Sequence, residues 1–307
     1  MGRGARSGPD GLVVVDKPPG WTSHDVVAKC RKLLGTRRVG HSGTLDPDAT
    51  GVLLVGVGRV TRLLRFLTAL PKSYTCEIVL GVETSTLDAS GEVTATHAMA
   101  VTPDDVRVAA EALTGEILQV PPMVSAVQVG GRRLHELARE GREVERAPRP
   151  VTVWRFEVTP TGDPLVYQAS VTCSSGTYVR SLAADLGAAL GGGAHLRHLR
   201  RTAIGSFTEA EAWPVEQVGP EVLLAPAAAL RDYPQVRVDE RVAAEVGVGK
   251  VLDRSRLGVG EGEGPWAVLD AGGALLAVYE LHRAGTVKPA VVVAPAGRGS
   301  SGGRAQG

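Results

Sequence analysis

The sequence predicts an α+β protein with a small β-rich unit towards its C-terminal end. Two observations carry that expectation. Between residues 11 and 207, short apolar runs of strand length are interspersed with segments whose apolar residues recur at helical spacing. After about Leu230 the composition shifts to short β-like runs divided by glycine, including Trp266 to Leu269 and Leu275 to Leu281. A length of 307 residues fits two domains, and a hydrophobic fraction of 43% is ample for a core. The expected layout is a disordered lead-in at 1–10, a large domain at 11–230, a small one at 235–295 and a disordered tail at 296–307. No internal repeat is visible.

The elements follow from local signals. Leu12 to Val15 reads as a strand that stops at Pro18-Pro19-Gly20. Thr22 or Ser23 can cap a helix that carries Val26, Val27, Cys30, Leu33 and Leu34 on one face. A glycine-punctuated loop then leads into the apolar run Val52 to Val57. Arg59 to Leu70 has helical spacing, with Leu63, Leu64 and Leu67 inward and Arg59, Arg62 and Arg65 outward. Tyr74 to Leu80 reads as a strand. Thr102-Pro103-Asp104-Asp105 starts a helix: a capping hydroxyl, proline at the first helical position, then acids at the positive helix end. Val106, Ala109, Ala110, Leu113 and Ile117 form its expected buried face. Strands are expected at Val151 to Val158 and Val166 to Cys173. A helix is expected at Thr177 to Leu190, closed by Gly191-Gly192-Gly193.

Charge and cysteine usage exclude several classes. Net charge is +1, but its distribution is uneven. Arg31 to Arg65 holds seven Lys or Arg against two Asp, whereas Gly81 to Glu116 holds seven acids against one Arg. Such segregation gives a nearly neutral chain a basic face for nucleic acid, or simply two solvated faces. Cys30, Cys76 and Cys173 stand far apart with no metal-ligand spacing, which fits a reducing compartment rather than a disulfide framework or a zinc site. No apolar run is long enough to cross a bilayer, and the N-terminal stretch lacks a secretory core. The expected location is the cytoplasm.

The most informative stretch runs from His41 to Gly51. Pro47 pushes Asp46 out of helical geometry, and flanking glycines permit tight turns, so Asp46 is presented on a constrained loop. On spacing alone, an Asx turn with Asp48 and Thr50 in solvent accounts for these residues. A calcium loop would need an acid where Val57 stands. A phosphatase Asp-x-Asp-x-Thr motif would need a buried strand directly before it, and Arg38 to Gly43 is a poor one. Gly56-x-Gly58-x-x-Thr61 lacks the third glycine of a dinucleotide loop.

Taken in order, the motifs resemble those of the bacterial tRNA uridine-55 pseudouridine synthase family. Asp16-Lys17-Pro18-Pro19-Gly20-Trp21-Thr22-Ser23 comes first, then the His41 to Leu53 loop, then Lys72-Ser73-Tyr74. Pro121 to Ala126 follows, with Gly131 to Leu134 beyond it. Ser175 to Leu182 and Gly193 to Arg201 complete the set, so the resemblance covers residues 11–207 almost without interruption. Val124 and His135 stand where the family often carries an aromatic, and Gln128 where it often carries Lys.

The resemblance implies a pseudouridine synthase domain around a mixed, mainly antiparallel central sheet, followed by a small β barrel of the PUA type. It implies conversion of a T-loop uridine in tRNA to pseudouridine without cofactor or metal. The bond from C1′ to N1 breaks, the base turns, and C1′ joins C5. Asp46 is then the essential carboxylate, Arg180 its cationic partner, and Tyr74 the ring stacked on the base. Tyr178 and Leu199 pack around the base, and Gly43, Thr44 and Leu45 belong to the same binding loop. His41 fills the space that the flipped nucleotide leaves. Arg37, Arg38, Arg59, Arg62 and Arg65 are candidate phosphate contacts, which give affinity rather than sequence choice. Base flipping costs a few kcal/mol, and stacking on an aromatic returns about 1–3 kcal/mol per base. The expected partner is tRNA, held at its T-arm and, through the C-terminal domain, its acceptor arm, by a monomer. The rivals are an RNA chaperone that helps tRNA fold and a magnesium-dependent phosphatase.

Overall fold

In the computed structural model, which describes residues 8–123, 128–129, 132–133, 140 and 144–293, the first apolar run becomes β1 (Gly11–Lys17). Its two faces enter different cores. Leu12 and Val14 pack in one apolar cluster, Val13 and Val15 in another. That is why the run is continuously apolar rather than alternating. The same division holds for β3 (Thr50–Val57), where Val52 and Leu54 face one core and Leu53, Val55 and Val57 the other.

The main sheet also contains β2 (Val39–His41), β4 (Lys72–Leu80), β7 (Gly115–Gln119), β10 (Arg149–Pro160), β11 (Val166–Cys173) and β12 (Ala194–Ile204). The two-residue strands β13 (Phe207–Thr208) and β14 (Trp213–Pro214) complete it. Its main path is β14-β1-β3-β12-β4-β11-β10-β7, with β2 on β3 and β13 on β12. Only β1–β14 and β3–β12 pair in parallel; the other pairings are antiparallel. The mixed, mainly antiparallel sheet expected from the sequence is therefore present. Two small hairpins lie outside it: β5 (Val82–Thr84) with β6 (Val93–Thr96), and β8 (Gln128–Val129) with β9 (Arg132–Arg133).

Helix α1 (Ser23–Leu33) starts at Thr22, whose side chain forms a capping box with Asp25. It buries Val26, Val27 and Cys30 against β1 and β3, whereas Leu33, expected inward, is 38% exposed. The segment expected as one helix over Arg59 to Leu70 is a 3-10 turn, Gly58–Leu63, followed by a short α2 (Leu64–Ala69). Helix α3 (Pro103–Ala112) has the expected Thr102–Asp105 capping box. It ends before Ile117, which lies on β7 instead of the helix face. Helix α4 (Val179–Ala189) and α3 cover one face of β4, β10, β11 and β12 through Val106, Ala110, Leu182, Ala183 and Leu186.

The C-terminal runs form β15 (Gln235–Arg237), β16 (Leu252–Asp253), β17 (Trp266–Leu269), β18 (Leu275–Leu281) and β19 (Thr286–Val292). Their order is β15-β17-β18-β19-β16, with α5 (Glu240–Gly247) and α6 (Arg254–Leu257) alongside. Among the described residues the outer strands β15 and β16 are not paired with each other, and the curled sheet forms a half-barrel that fits the small β barrel expected. It shares a core with the main sheet: Leu12, Leu54, Leu63 and Leu67 pack in one cluster with Ala267, Leu269, Val278 and Val291. Val124 to Ala126, Gly131, Leu134 and His135 from the second motif lie outside the described residues, as do the side chains of Gln128, Arg132 and Arg133.

Candidate active site

Asp46 sits on the loop between β2 and β3, and the first motif of the chain holds that loop in place. Ser23, fully buried at the start of α1, accepts from Leu45 N–H at 2.9 Å and donates to Leu45 O at 3.3 Å. Lys17 Nζ donates to the carbonyls of Pro18, Trp21 and Pro47 at 2.9, 2.6 and 2.8 Å. Gly20 N–H also donates to Pro47 O, at 3.0 Å. Burial pulls the Lys17 ammonium from 10.5 down to about 8. A buried amine with three carbonyl acceptors is a structural pin. Ala49 N–H closes the turn onto Asp46 O at 3.1 Å.

Arg180, the second residue of α4, meets the Asp46 carboxylate at 3.0 Å. The guanidinium is 5% exposed and the carboxylate side chain 42% exposed, so the acid remains open to a ligand. Arg180 also donates to Thr86 O at 3.0 Å and lies 3.4 Å from Asp88 Oδ2. Burial pushes the Asp46 carboxyl above its ordinary range, Arg180 pulls it back, and Asp88 adds to the upward push. Gln119 on β7 fixes the helix start: its side chain accepts from Tyr178 N–H at 2.7 Å and donates to Tyr178 O at 3.1 Å.

Tyr74 on β4 stands opposite Arg201 on β12 in the strand register, and the two side chains influence each other's ionisation. Arg201 is 1% exposed and donates to Val52 O at 2.7 Å and Gly43 O at 3.2 Å. Burial raises the Tyr74 hydroxyl and lowers Arg201. Arg201 therefore ties β12 to β3 and to the loop that carries Asp46. Its backbone approach demands glycine at position 51. Gly51 has φ +99°, and a Cβ there would stand 2.2 Å from Arg201 O. Lys72 Nζ donates to Thr68 O and Leu70 O at 2.5 and 2.8 Å, and burial lowers it to about 8.

Two clefts meet at Asp46, Arg180 and Leu199. The smaller, ≈ 270 Å³, is walled by Tyr74, Tyr178, Gly43, Thr44 and Leu45. The larger, ≈ 450 Å³, lies on the Asp48 and Asp88 side. The structure thus gathers Asp46, Arg180, Tyr74, Tyr178, Leu199, Gly43, Thr44 and Leu45 around one point.

The other candidates stand apart. His41, on β2, lines neither cleft; its ring meets His24 edge-on at 5.3 Å, and burial lowers it to about 4. Arg37 and Arg38 are exposed. Arg59 and Arg62 donate to Val293 O and Val292 O at 3.2 and 2.7 Å, and Arg65 lies 3.7 Å from Glu280. These three bind the seam to the C-terminal sheet. In the sequence alone Lys17, Asp88, Gln119 and Arg201 carry no distinct role, and Ser23 only that of an alternative helix cap. Lys17, Ser23 and Arg201 belong to motifs already singled out, so a signal existed for them. Asp88 and Gln119 reach the site only through tertiary structure.

Residues 31–179 match the family model for the TruB family pseudouridylate synthase N-terminal domain. Residues 180–233 match that of the tRNA pseudouridylate synthase B C-terminal domain. The chain is 46% identical over 300 residues to tRNA pseudouridine synthase B of Arthrobacter sp. (strain FB24), covering 93% of this chain and 97% of that one. It is 48% identical over 294 residues to the protein of the same name from Rhodococcus jostii (strain RHA1), covering 93% and 94%. A solved Cbf5-Nop10-Gar1 complex contains a similar chain, with TM-score 0.72, 26% identity and coverage of 93% and 85%. An H/ACA RNP bound to a substrate RNA containing 2′-deoxyuridine gives TM-score 0.70 and 25% identity, again covering 93% and 85%. On both the matched domains and the curated relatives, the chain belongs to the TruB family of pseudouridylate synthases.

Proposed function

We propose that this chain isomerises uridine to pseudouridine at position 55 in the T-loop of elongator tRNAs. The observation that carries the reading is the half-exposed Asp46 carboxylate, 3.0 Å from Arg180, at the mouth of a cleft walled by Tyr74, Tyr178 and Leu199. In this reading a pyrimidine occupies the cleft and the sugar of the flipped nucleotide lies at Asp46, where the two clefts meet. Flipping is required because no side chain can reach C1′ and C5 of a stacked base.

Asp46 acts as the carboxylate, by attack on the sugar or the base or by stabilising a cationic sugar while the glycosidic bond breaks. Arg180 keeps it ionised against the desolvation of its own pocket. Tyr74 stacks on the uracil ring and assists removal of the C5 proton, while Tyr178 and Leu199 confine the base as it turns. His41 enters the space left in the T-loop, and the exposed Arg37 and Arg38 meet the backbone. The C-terminal sheet acts as a PUA-like module on the acceptor arm. The enzyme works as a cytoplasmic monomer.

The test is chemical mapping of pseudouridine in an unmodified tRNA transcript after incubation with the purified protein. Modification at T-loop position 55 alone is expected. Modification elsewhere, or none in a transcript that the protein binds, contradicts the assignment.

A further inference from the structure

The placement of Leu199 depends on an irregularity in β12. Side chains on a strand alternate between faces, so residues three apart should point in opposite directions. Leu196 and Leu199 nevertheless line the same cleft and pack in the same cluster. The register explains this. Arg197 pairs with Glu77 of β4 and Arg200 with Thr75, three steps on one strand against two on the other. One extra residue is inserted, as in a β-bulge that re-aims a side chain. His198 occupies it with φ +54°, a left-handed conformation unusual for any residue with a side chain.

The opposing strand grips this bulge from outside the clefts. Glu77 Oε2 accepts from Arg197 Nε at 2.5 Å and lies 3.2 Å from His198 Nδ1, while Gln168 Nε2 donates to Oε1 at 2.8 Å. Glu77 is mostly buried, at 19% exposed, whereas the His198 side chain is 72% exposed. One carboxylate therefore links the irregular residue His198 and its neighbour Arg197 to β4 and β11. The other neighbour of Leu199, Arg200, is held to Asp16 and Glu209.

We propose that Glu77 is a positioning residue for the reaction. By clamping Arg197 and His198 it maintains the bulge that turns Leu199 into the clefts beside Asp46. Glu77 lines neither cleft, whereas Arg197 and His198 line the larger one beside Leu199, so it acts through the bulge it holds and not on the substrate. The inference rests on the isomerase reading above.

The experiment measures single-turnover pseudouridine formation and tRNA affinity for wild type, Glu77→Ala, Glu77→Gln and the double variant Glu77→Ala/His198→Gly. Removing the carboxylate is expected to slow the chemical step about tenfold, with tRNA affinity held within about twofold and an unchanged melting temperature. Glutamine keeps one oxygen acceptor and stays within about threefold of wild type. Glycine adopts positive φ without strain, so the double variant recovers to within about threefold although the clamp is gone. The proposal is overturned by a Glu77→Ala rate equal to wild type, by a loss that appears in affinity instead of rate, or by a double variant as slow as the single one. An inactive wild-type protein would instead contradict the isomerase reading itself, so the two failures are distinguishable.

Discussion

Asp46 is pulled in two directions, and its partners decide the balance. Burial raises its carboxyl, and Arg180 is the largest opposing influence. Replacing Arg180 with Met removes that influence and leaves Asp88 facing Asp46 without the intervening cation. The acid limb of the single-turnover rate should then move to higher pH, because a raised acid needs a higher pH to ionise. A limb that stays in place would remove Arg180 from the control of Asp46. Lys17 makes a separate prediction, for stability. Its amine is held at about 8 in the fold against an ordinary 10.5, so the unfolded chain binds more protons between those values. The contribution of Lys17 to stability therefore rises as pH increases through that window. Lys17→Met deprives three carbonyls of their donor and should cost about 2–4 kcal/mol at neutral pH. The gap from wild type should widen on the alkaline side, which denaturant unfolding at a series of pH values measures. A gap that narrows there would contradict the assigned direction.

At the scale of elements, the site is a set of loops fixed by distant strands and helix ends. The Ser23 hydroxyl at the start of α1 holds both backbone groups of Leu45, next to Asp46. Ser23→Ala should destabilise the chain by about 1–2 kcal/mol and slow turnover more than it weakens tRNA binding. Thermal unfolding and a split of kcat from KM check this; a defect confined to binding would contradict it. Local signals made many of these elements legible in the sequence. The Thr22 and Thr102 caps, the doubly buried β1 and β3 runs and the Gly191 stop each depend on neighbouring residues alone. Asp46, Tyr74, Arg180, Tyr178 and Leu199 could be gathered because ordered motifs carried them. What was not legible depends on pairing across the sheet. No local pattern announces that Arg201 ties β12 to Gly43, that Gln119 holds Tyr178, or that β12 gains a residue at His198. The basic run Arg59-Arg62-Arg65 is legible in the sequence as a candidate phosphate-binding face. Its contacts to Val293, Val292 and Glu280 became visible only once the C-terminal sheet was in place.

At the scale of the whole molecule, the C-terminal sheet shares its interior with the main sheet. Ala267, Leu269, Leu275, Val278 and Val291 cover Leu12, Val14, Leu63 and Leu67. Removing residues 235–293 would expose that apolar surface, at about 25 cal/mol per Å² of apolar area returned to water. The truncated chain is expected to aggregate or melt well below the full protein, as size-exclusion chromatography and circular dichroism would record. A truncated chain that stays monomeric with unchanged melting would show that the shared cluster contributes little. This coupling also fixes the C-terminal sheet relative to Asp46. The central claim is that Asp46 performs uridine isomerisation in tRNA. It is tested most directly by tritium release from tRNA labelled at C5 of uridine, with EDTA present, for wild type and Asp46→Asn. The account predicts release from the T-loop uridine by wild type and none by Asp46→Asn, with tRNA affinity retained within a few-fold. Near-normal release by Asp46→Asn would contradict it.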